Sequence, residues 1–522
     1  MRSTNTWNVM RCSWLVLCCC LIAIIGKAQV LPIGSGFKDV HFAPTSSRLT
    51  EPAFFPVTER NINHQLRDSA KRYSNFGHYL YQRQLIEIKD STVGALSITP
   101  LLNLSYGAEL QDTNKTRYQN TRGVRVEGTI GKRVTFTTSF YENQAILPGY
   151  VAGYIQQRGE QYLNAADSQY YTQNAVVPGA ARTKPFKTDG FDYAYATGMV
   201  VVNVLKRCTV MWGNQPVFVG SGHRSMLWSD NSVGAINLRF RVRFSEKWEL
   251  QNIKGRGLNL LRRPNPNNGE AFYENTSLSI STLYFQPNEH FTIGLFEAGK
   301  WFRGDSASQN GFPALFFLPL PGAATLQAVT KANSVNSLTG IDLRAWVGKH
   351  TIYGQFALNP AENNSMVYQI GVRLYPAKNP FIQAQVEYNH ADNNAYTSSV
   401  SRLNFSNYNM PIAHPSGNAL DEVVLRLLWE KGHWFVQSQT NYFFKQSENE
   451  TLLMPVVKST VTSSRQVLNQ SVEVGYRFNR TYGFEIVAGF RYRHAEGTTT
   501  YSEGSWISVG IRTALTNHYF DF

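Results

Sequence analysis

The chain has 522 residues, and its 50 lysines and arginines exceed its 36 aspartates and glutamates to give a formal net charge of +14. Such a balance favours polyanionic partners, and because no nucleic-acid-binding motif is present we expect none of them to be a nucleic acid. After the first 28 positions the longest apolar stretch, residues 311–329, is interrupted by three prolines, which excludes helical membrane spans.

The first 28 residues have the three parts of a secretory signal peptide. Arg2 and Arg11 form the basic start, residues 12–25 are apolar, and Gly26-Lys27-Ala28 is a small-x-small cleavage site. The cysteines of the apolar stretch lack the small preceding residue of a lipid-attachment site. We therefore expect Sec export and cleavage near Ala28, which would leave Cys208 as the one cysteine and exclude an intramolecular disulfide.

Residues 29–95 are predicted to form an N-terminal periplasmic segment with a short helix. Within residues 58–73, Ile62, Leu66 and Ala70 recur at four-residue spacing, which is typical of a helix. Residues 151–169 show a similar spacing. A second helix is therefore predicted there, inside a long loop.

From residue 96 to residue 522 the sequence alternates with period two. In residues 238–244, apolar side chains alternate with Arg239, Arg241 and Arg243, which a strand places on one side and a helix would scatter. A charge at mid-bilayer depth costs about 2–4 kcal/mol, so the apolar side must face lipid and the arginines must face the lumen of a barrel.

Many further strands follow the same pattern. A hairpin is predicted at residues 124–140, and other strands at 198–205, 276–284, 291–297, 340–347, 351–358, 368–374, 381–389, 423–428, 434–442, 471–478, 483–492 and 506–515. A spacing of roughly 20–25 residues per strand and loop predicts about 16–18 strands, with aromatic girdles near strand ends. The predicted fold is all-β, a transmembrane antiparallel β-barrel with long extracellular loops, and the less favoured alternative is a soluble β-sandwich.

The end of the sequence adds a targeting signal. The last predicted strand leads to Phe520 and Phe522, and aromatic residues at the last and antepenultimate positions resemble the signal by which the barrel assembly machinery recognises outer-membrane proteins. We expect that machinery to be a partner during insertion.

An ordered set of segments resembles the capsule-assembly Wzi family of outer-membrane barrels, including relatives associated with gliding motility. The segments are 123–128 (GVRVEG), 140–144 (FYENQ), 184–187 (KPFK), 191–194 (FDYA), 218–231 (FVGSGHRSMLWSDN), 294–298 (GLFEA), 353–356 (YGQF), 368–372 (YQIGV), 387–389 (EYN) and 411–415 (PIAHP). The resemblance departs at Leu358-Asn359, where acidic residues are expected. It implies a barrel of about eighteen strands in a Gram-negative outer membrane, with a small periplasmic helical part, that engages polysaccharide and anchors it at the cell surface.

Candidate polysaccharide-binding residues are polar or charged groups on strands and strand ends: Arg239, Arg241, Arg243, Lys254, Arg256, Glu142, Asn143, Gln144, His223, Arg224 and Asp230. Guanidinium groups match carboxylate or phosphate geometry, which suits an acidic glycan. Arg239, Arg241, Arg243, Lys254 and Arg256 are expected to face the lumen. The alternative is structural, because these lumen cations could pair with inward-facing Glu127, Glu297, Glu387 and Glu485 across neighbouring strands. Residues 142–144 could equally serve a structured loop.

The predicted function is non-enzymatic binding, assembly or anchoring of capsule or exopolysaccharide. The alternatives are a porin for anionic solutes and an outer-membrane hydrolase that uses Ser225 with His223, although no orienting group or oxyanion donor is identifiable for the latter. His414 has no second ligand at metal spacing, so neither a metal nor a cofactor is expected. The expected partners of this monomer are acidic surface polysaccharide, lipopolysaccharide and outer-membrane lipid.

Overall fold

A computed structural model describes most of the chain. The described residues are 30–31, 54–55, 57–58, 74–81, 85–90, 93–111, 116–164, 166–180, 182–262, 273–303, 312–331, 333–378, 380–445, 453–456, 464–480, 482–497, 503–513 and 519–522. The predicted signal peptide, and all of the predicted helix at 58–73 except Thr58, lie outside them. Among the described residues, no helix combines the length and the apolar character needed to cross a membrane.

The main sheet has 21 strands, and 18 of them form a closed antiparallel barrel, which confirms the predicted fold. Its strands are β1 (Gly94–Glu109), β2 (Thr116–Ile130), β3 (Val134–Ile146), β4 (Gly190–Leu205), β5 (Cys208–Gly213), β6 (Ile236–Arg243), β7 (Trp248–Asn259), β8 (Glu274–Asn288), β9 (Phe291–Phe302), β10 (Val335–Val347), β11 (His350–Asn359), β12 (Ser365–Lys378), β13 (Phe381–Ala391), β14 (Leu420–Lys431), β15 (Trp434–Lys445), β16 (Arg465–Asn479), β17 (Phe484–Glu496) and β18 (Glu503–Arg512). Pairing of β18 with β1, from Trp506 opposite Glu109 to Arg512 opposite Asn103, closes the barrel.

The connections alternate between short turns and long loops. Turns such as 206–207, 289–290, 348–349 and 432–433 lie at one end, whereas the connections 147–189, 214–235, 303–334 and 392–419 lie at the other. Outer-membrane barrels have short periplasmic turns and longer extracellular loops. The long loops therefore mark the extracellular end.

Side chains alternate between the two sides of the wall, as the period-two pattern predicts. On β6, Leu238 and Phe240 are exposed on the outside, whereas Arg239 is 3% exposed and lies inside. β1, β5 and β7 were not predicted as strands. In β7 the alternation fails because Lys254 and Arg256, on the outer face, are as polar as the residues on the inner face.

Within the described residues, three α-helices accompany the barrel: α1 (Asn75–Tyr81), α2 (Gly149–Gln157) and α3 (Ala323–Thr330). The helix predicted at 151–169 is correct only in its first half. After α2 the chain forms the strand Glu160–Leu163, which joins Tyr170–Gln173 and Leu261–Arg262 in a small sheet among the extracellular loops. Tyr162, Tyr170 and Tyr171 are residues of a type that is enriched in strands, which favours strand formation there.

Both ends of the described chain differ from expectation. The backbone of Phe54–Phe55, within the predicted periplasmic segment, pairs with Phe218–Val219 of the β5–β6 loop. The last strand ends at Arg512 rather than at residue 515, and Tyr519–Phe522 form no strand. Phe520 and Phe522 therefore lie outside the final strand in the folded protein.

Candidate functional site

Residues 214–235, which join β5 to β6, fold into the lumen, and we call them the plug. Val219, Met226 and Leu227 are completely buried and pack against apolar residues on the inner faces of β7 to β14. The barrel interior thus contains a hydrophobic core of its own, which the burial of apolar surface stabilises. This core holds the plug across the extracellular half of the lumen.

A compact turn shapes the plug. Ser225 is fully buried, and its hydroxyl donates to the Val219 carbonyl at 2.5 Å while accepting the Trp228 N–H at 3.0 Å. Gly220 has a φ of +122°, and a Cβ on Gly222 would lie 2.7 Å from the Glu387 carboxylate. The Ser225 hydroxyl therefore completes a structural turn and donates to a backbone carbonyl, not to His223, which removes the geometric basis of the hydrolase alternative.

Arg224 is the ionic centre of the plug. Its guanidinium is 1% exposed and binds the Glu422 carboxylate through two nitrogens, at 2.8 and 3.2 Å, and Asp521 at 3.1 Å. Glu422 also meets the His414 ring at 2.8 Å. Glu387 accepts the backbone N–H groups of His223 and Arg224, at 2.7 and 3.0 Å. Buried charges need such partners, so these contacts fix the plug to β13 and β14.

The last four residues lie inside the barrel against the plug. Tyr519 donates to Asp230 at 2.7 Å, and the Phe522 ring stacks on Tyr154 of α2 with 3.6 Å between centroids. The Tyr150 hydroxyl donates to the Phe520 carbonyl. These contacts bring α2, the plug and the end of the sequence into one packed unit.

The loop between β13 and β14, residues 392–419, covers the plug from the extracellular side, and we call it the cover loop. Ser229 and Asn231 of the plug donate to carbonyls of residues 411–413, and the Tyr396 hydroxyl donates to the Met226 carbonyl at 2.8 Å. Lys300 on β9 donates to carbonyls of Asn404 and Ser406 at 3.0 and 2.8 Å. The cover loop is therefore tied both to the plug and to the wall.

On the periplasmic side of the plug the lumen is lined by paired cations. Arg241 and Arg243 both contact Glu249, at 2.8 and 3.3 Å, Arg239 donates to Gln251, and Arg373 donates to the Ser221 carbonyl at 2.8 Å. A cavity of about 130 Å³ is lined by His223, Gln383, Arg426, Leu427, Leu428, Gln437, Ser438, Gln439, Ser471, Glu473, Arg491, Tyr519, Phe520 and Asp521. The lumen arginines mainly join neighbouring strands.

The structure places the predicted binding residues in three separate locations. Arg239, Arg241 and Arg243 line the lumen, while His223, Arg224 and Asp230 belong to the plug. Lys254 and Arg256 were expected in the lumen, which is wrong. They stand opposite outward-facing Leu238 and Ile236, and directly paired residues share one face of the sheet.

The predicted cluster at residues 142–144 is also divided between the two faces. Asn143 points inward and donates to the Tyr193 carbonyl at 3.1 Å, whereas Glu142 and Gln144 point outward. A strand separates consecutive side chains in this way, so the three cannot form one sugar site.

The glutamates that were predicted to pair with lumen cations do not all do so. Glu485 pairs with Arg512 and Arg477 across strands, as expected. Glu387 binds the plug backbone, and Glu297 lies on the outer face of β9. Sequence reasoning missed Glu422, Lys300 and Asp521. Glu422 and Lys300 each carry one sequence signal, an ionisable residue among inward-facing apolar residues of a strand, and Asp521, which lies outside any strand, carries no such signal.

Two tyrosine rings, of which Tyr171 is exposed and Tyr162 is half-buried, lie on the small extracellular sheet, and we call this group the tyrosine patch. Its rings are Tyr162 and Tyr171, stacked with 5.7 Å between centroids. Tyr171 is 41% exposed and donates to Asp167 at 2.6 Å. A stacked pair of rings that is open to solvent at Tyr171, beside carboxylate and amide groups, offers the apolar and polar contacts that a sugar ring requires.

Acidification is expected to loosen the plug. Burial lowers the pKa of His223, with help from Arg426, whereas at Asp521 burial raises the pKa but Arg224 and His223 outweigh it and hold it below the ordinary value. Both groups bind protons more readily once the plug is released, so protonation favours the released plug. The two groups therefore stabilise the bound plug fully above about pH 6.5. This stability is lost as pH falls, first through His223 and then, below about pH 3.9, through Asp521.

Plug release can be measured at a series of pH values as the rate at which a protease cleaves within residues 214–235. His223→Gln should remove the loss that begins below about pH 6.5 and leave the more acidic one. An unchanged profile in that variant would contradict the assignment.

The closed order of 18 antiparallel strands, the apolar outer face and the filled polar interior define an outer-membrane β-barrel. Among solved structures it is similar to Wzi of Escherichia coli, described as an outer-membrane protein involved in group 1 capsule assembly and a carbohydrate-binding β-barrel. The TM-score is 0.51 at 12% identity, over 94% of this chain and 100% of that chain. At this identity the likeness shows the fold alone.

Two outer-membrane proteins are similar at lower scores. OccAB2 of Acinetobacter baumannii has a TM-score of 0.42 and 8% identity over 80% of this chain and 97% of its own. OpdK of Pseudomonas aeruginosa, solved with vanillate, has 0.41 and 8% over 80% and 98%. Scores this low carry no functional argument. No protein-family model and no curated protein matches the chain.

Proposed function

We propose that the protein is a non-enzymatic, monomeric outer-membrane barrel that binds acidic surface polysaccharide and helps to hold or assemble it at the cell surface. The observation that carries the proposal is the plug. Its buried ionic network and hydrophobic core occupy the extracellular half of the lumen. A barrel filled in this way presents its extracellular loops, rather than an open pore, as the surface for a ligand.

Within those loops we assign the first glycan contact to the tyrosine patch. The C–H face of a sugar ring is apolar and stacks on aromatic rings, while Asp167 and neighbouring amides can bind its hydroxyls. The chain's surplus of basic residues raises the local concentration of an acidic glycan. Outer-membrane lipid, including lipopolysaccharide, surrounds the apolar wall in this proposal.

Replacing both Tyr162 and Tyr171 with alanine should weaken binding of purified protein to surface polysaccharide from the producing strain by roughly tenfold, which corresponds to about 1.4 kcal/mol. The matched control is Tyr106→Ala, because Tyr106 is 62% exposed on the lipid-facing side of β1. Binding by titration calorimetry that is equal in both variants would contradict the patch. Wild-type retention of surface glycan by cells that lack the protein would contradict the function itself.

A porin for anionic solutes is the second candidate, and the cavity beneath the plug favours it. Arg426 and Arg491 line that cavity together with His223. Cations on a constricted path select for anions. Stable single-channel currents with anion selectivity from the wild-type protein in planar bilayers would support the porin, and their absence would support the closed barrel.

A further inference from the structure

The loop between β9 and β10 packs against the outside of the barrel. Its described part contains one turn of 3-10 helix, Ala314–Phe317, followed by α3. Phe316 and Ala324 are buried against Trp301, which points outward because its neighbour Lys300 points into the lumen. We call residues 312–330 the outer flap.

Beneath the outer flap lies a polar strip on the lipid-facing side of the wall. It consists of Asn252, Lys254, Ser279, Ser281 and Glu297. Lys254 stands opposite Leu238 and Asn252 stands opposite Phe240, both of which are exposed members of the apolar belt. The strip is therefore at a height where the other strands present apolar side chains to lipid.

The outer flap supplies the strip with its hydrogen-bond partners. Glu297 accepts the backbone N–H groups of Ala324 and Thr325, at 3.0 and 2.8 Å, at the amino end of α3. Lys254 donates to the Leu318 carbonyl at 3.1 Å, and Asn252 donates to the Pro319 carbonyl at 3.2 Å. Charged and amide groups that face lipid without hydrogen-bond partners cost free energy. The flap lowers this cost because it supplies partners to the polar strip.

The opposite side of the flap is apolar and exposed. Its exposed large side chains are Phe312, Phe317, Leu318, Leu320, Leu326 and Val329, between 41% and 69% exposed. In α3, Ala324 and Ala328 face the wall one turn apart, while Leu326 and Val329 face away from it. This apolar surface continues the belt of the barrel at Leu295, which is 49% exposed.

We propose that residues 312–330 form a membrane-embedded flap. Its exposed apolar side chains contact the acyl chains of the outer leaflet, and its inner side shields the polar strip from those chains. The occupant of the exposed surface is lipid, because the surface is continuous with a wall that already faces lipid and because no charged side chain interrupts its described part before Lys331. The flap is independent of any glycan bound at the extracellular loops.

Single cysteines can test this contact in the full mature chain carrying Cys208→Ser. Leu326→Cys and Val329→Cys are labelled with a polarity-sensitive fluorophore and reconstituted in phosphatidylcholine vesicles that contain nitroxide-labelled acyl chains. Val509→Cys, on the lipid side of β18, and Lys132→Cys, in a periplasmic turn, are the controls. We expect nitroxide quenching of both flap sites within twofold of Val509 and iodide quenching several-fold below that of Lys132. Quenching by iodide alone would overturn the proposal, and so would protection from both quenchers, which would indicate cover by a second protein.

A second measurement tests the shielding of the strip. Ala328→Cys places a thiol on the buried side of α3, and its rate of reaction with a membrane-permeant maleimide reports detachment of the flap. Glu297→Ala removes the acceptor of the two α3 N–H groups and should raise that rate at least fivefold, while Glu485→Ala, inside the barrel, should leave it unchanged. An unchanged rate in folded Glu297→Ala would overturn the shielding role.

Discussion

Replacing Arg224 with methionine should release the plug and open the lumen. The change leaves Glu422 and Asp521 without their buried cation, and breaking a buried pair in this way costs about 3–5 kcal/mol. The backbone pairing of the barrel does not involve Arg224, so the wall should still fold. In planar bilayers the variant should show large, frequent openings, whereas the wild-type protein should show none.

Arg243, in the lumen on the periplasmic side of the plug, provides a matched control. Arg243→Met also removes an ion-paired lumen arginine, but Glu249 keeps its shorter contact with Arg241 and Arg243 is 23% exposed. This variant should conduct no more than the wild-type protein. Adding Glu422→Gln to the Arg224 variant should restore part of the closure, since it removes one of the two carboxylate charges that lost their cation. Equal currents from the Arg224 variant and the wild-type protein would refute the ionic role of Arg224.

Replacing Lys300 with methionine should free the cover loop from the wall. The Lys300 ammonium donates to Asn259 at 2.8 Å and to the carbonyls of Asn404 and Ser406, and each buried acceptor left without a donor costs about 1–3 kcal/mol. The cover loop carries one trypsin site, Arg402, which is half-buried in the folded protein. Trypsin should cleave after Arg402 at least tenfold faster in the variant.

Lys349→Met provides the control for that experiment. Lys349 is a periplasmic-turn residue that donates to the Pro376 carbonyl on an exposed surface, so its loss should not alter cleavage after Arg402. Cleavage at the wild-type rate in the Lys300 variant would show that the plug contacts alone hold the cover loop.

The barrel could be predicted from the sequence because its signal is local and repeated. Each strand must present apolar side chains to lipid at every second position. Leu238 and Phe240 show this spacing within one strand, so the pattern can be recognised without knowledge of any other strand. β7 escaped prediction for a tertiary reason. Its outward-facing Lys254 is covered by a flap that lies some sixty residues later in the chain, as the contact with Leu318 shows.

The plug segment could be recognised in the sequence, but its contacts could not be predicted from it. The segment containing Gly220, Gly222 and Arg224 is conspicuous, yet its neighbours give no indication that Arg224 binds Glu422 and Asp521, which are 198 and 297 residues away. The same holds for the binding residues assigned to the lumen. The side of the wall to which a side chain points could be inferred from the alternation within one strand, but its ion-pair and hydrogen-bond partners across the lumen could not.

The all-β class, the strand number to within two, and the lumen position of Arg239, Arg241 and Arg243 follow from local sequence patterns, because alternation against a lipid solvent acts on single strands. The plugged lumen, the outer position of Lys254 and Arg256, and the packing of Phe522 within the barrel become evident only in the folded structure. These features depend on charges and apolar groups that meet across long sequence separations, and their energy comes from mutual burial rather than from local pattern.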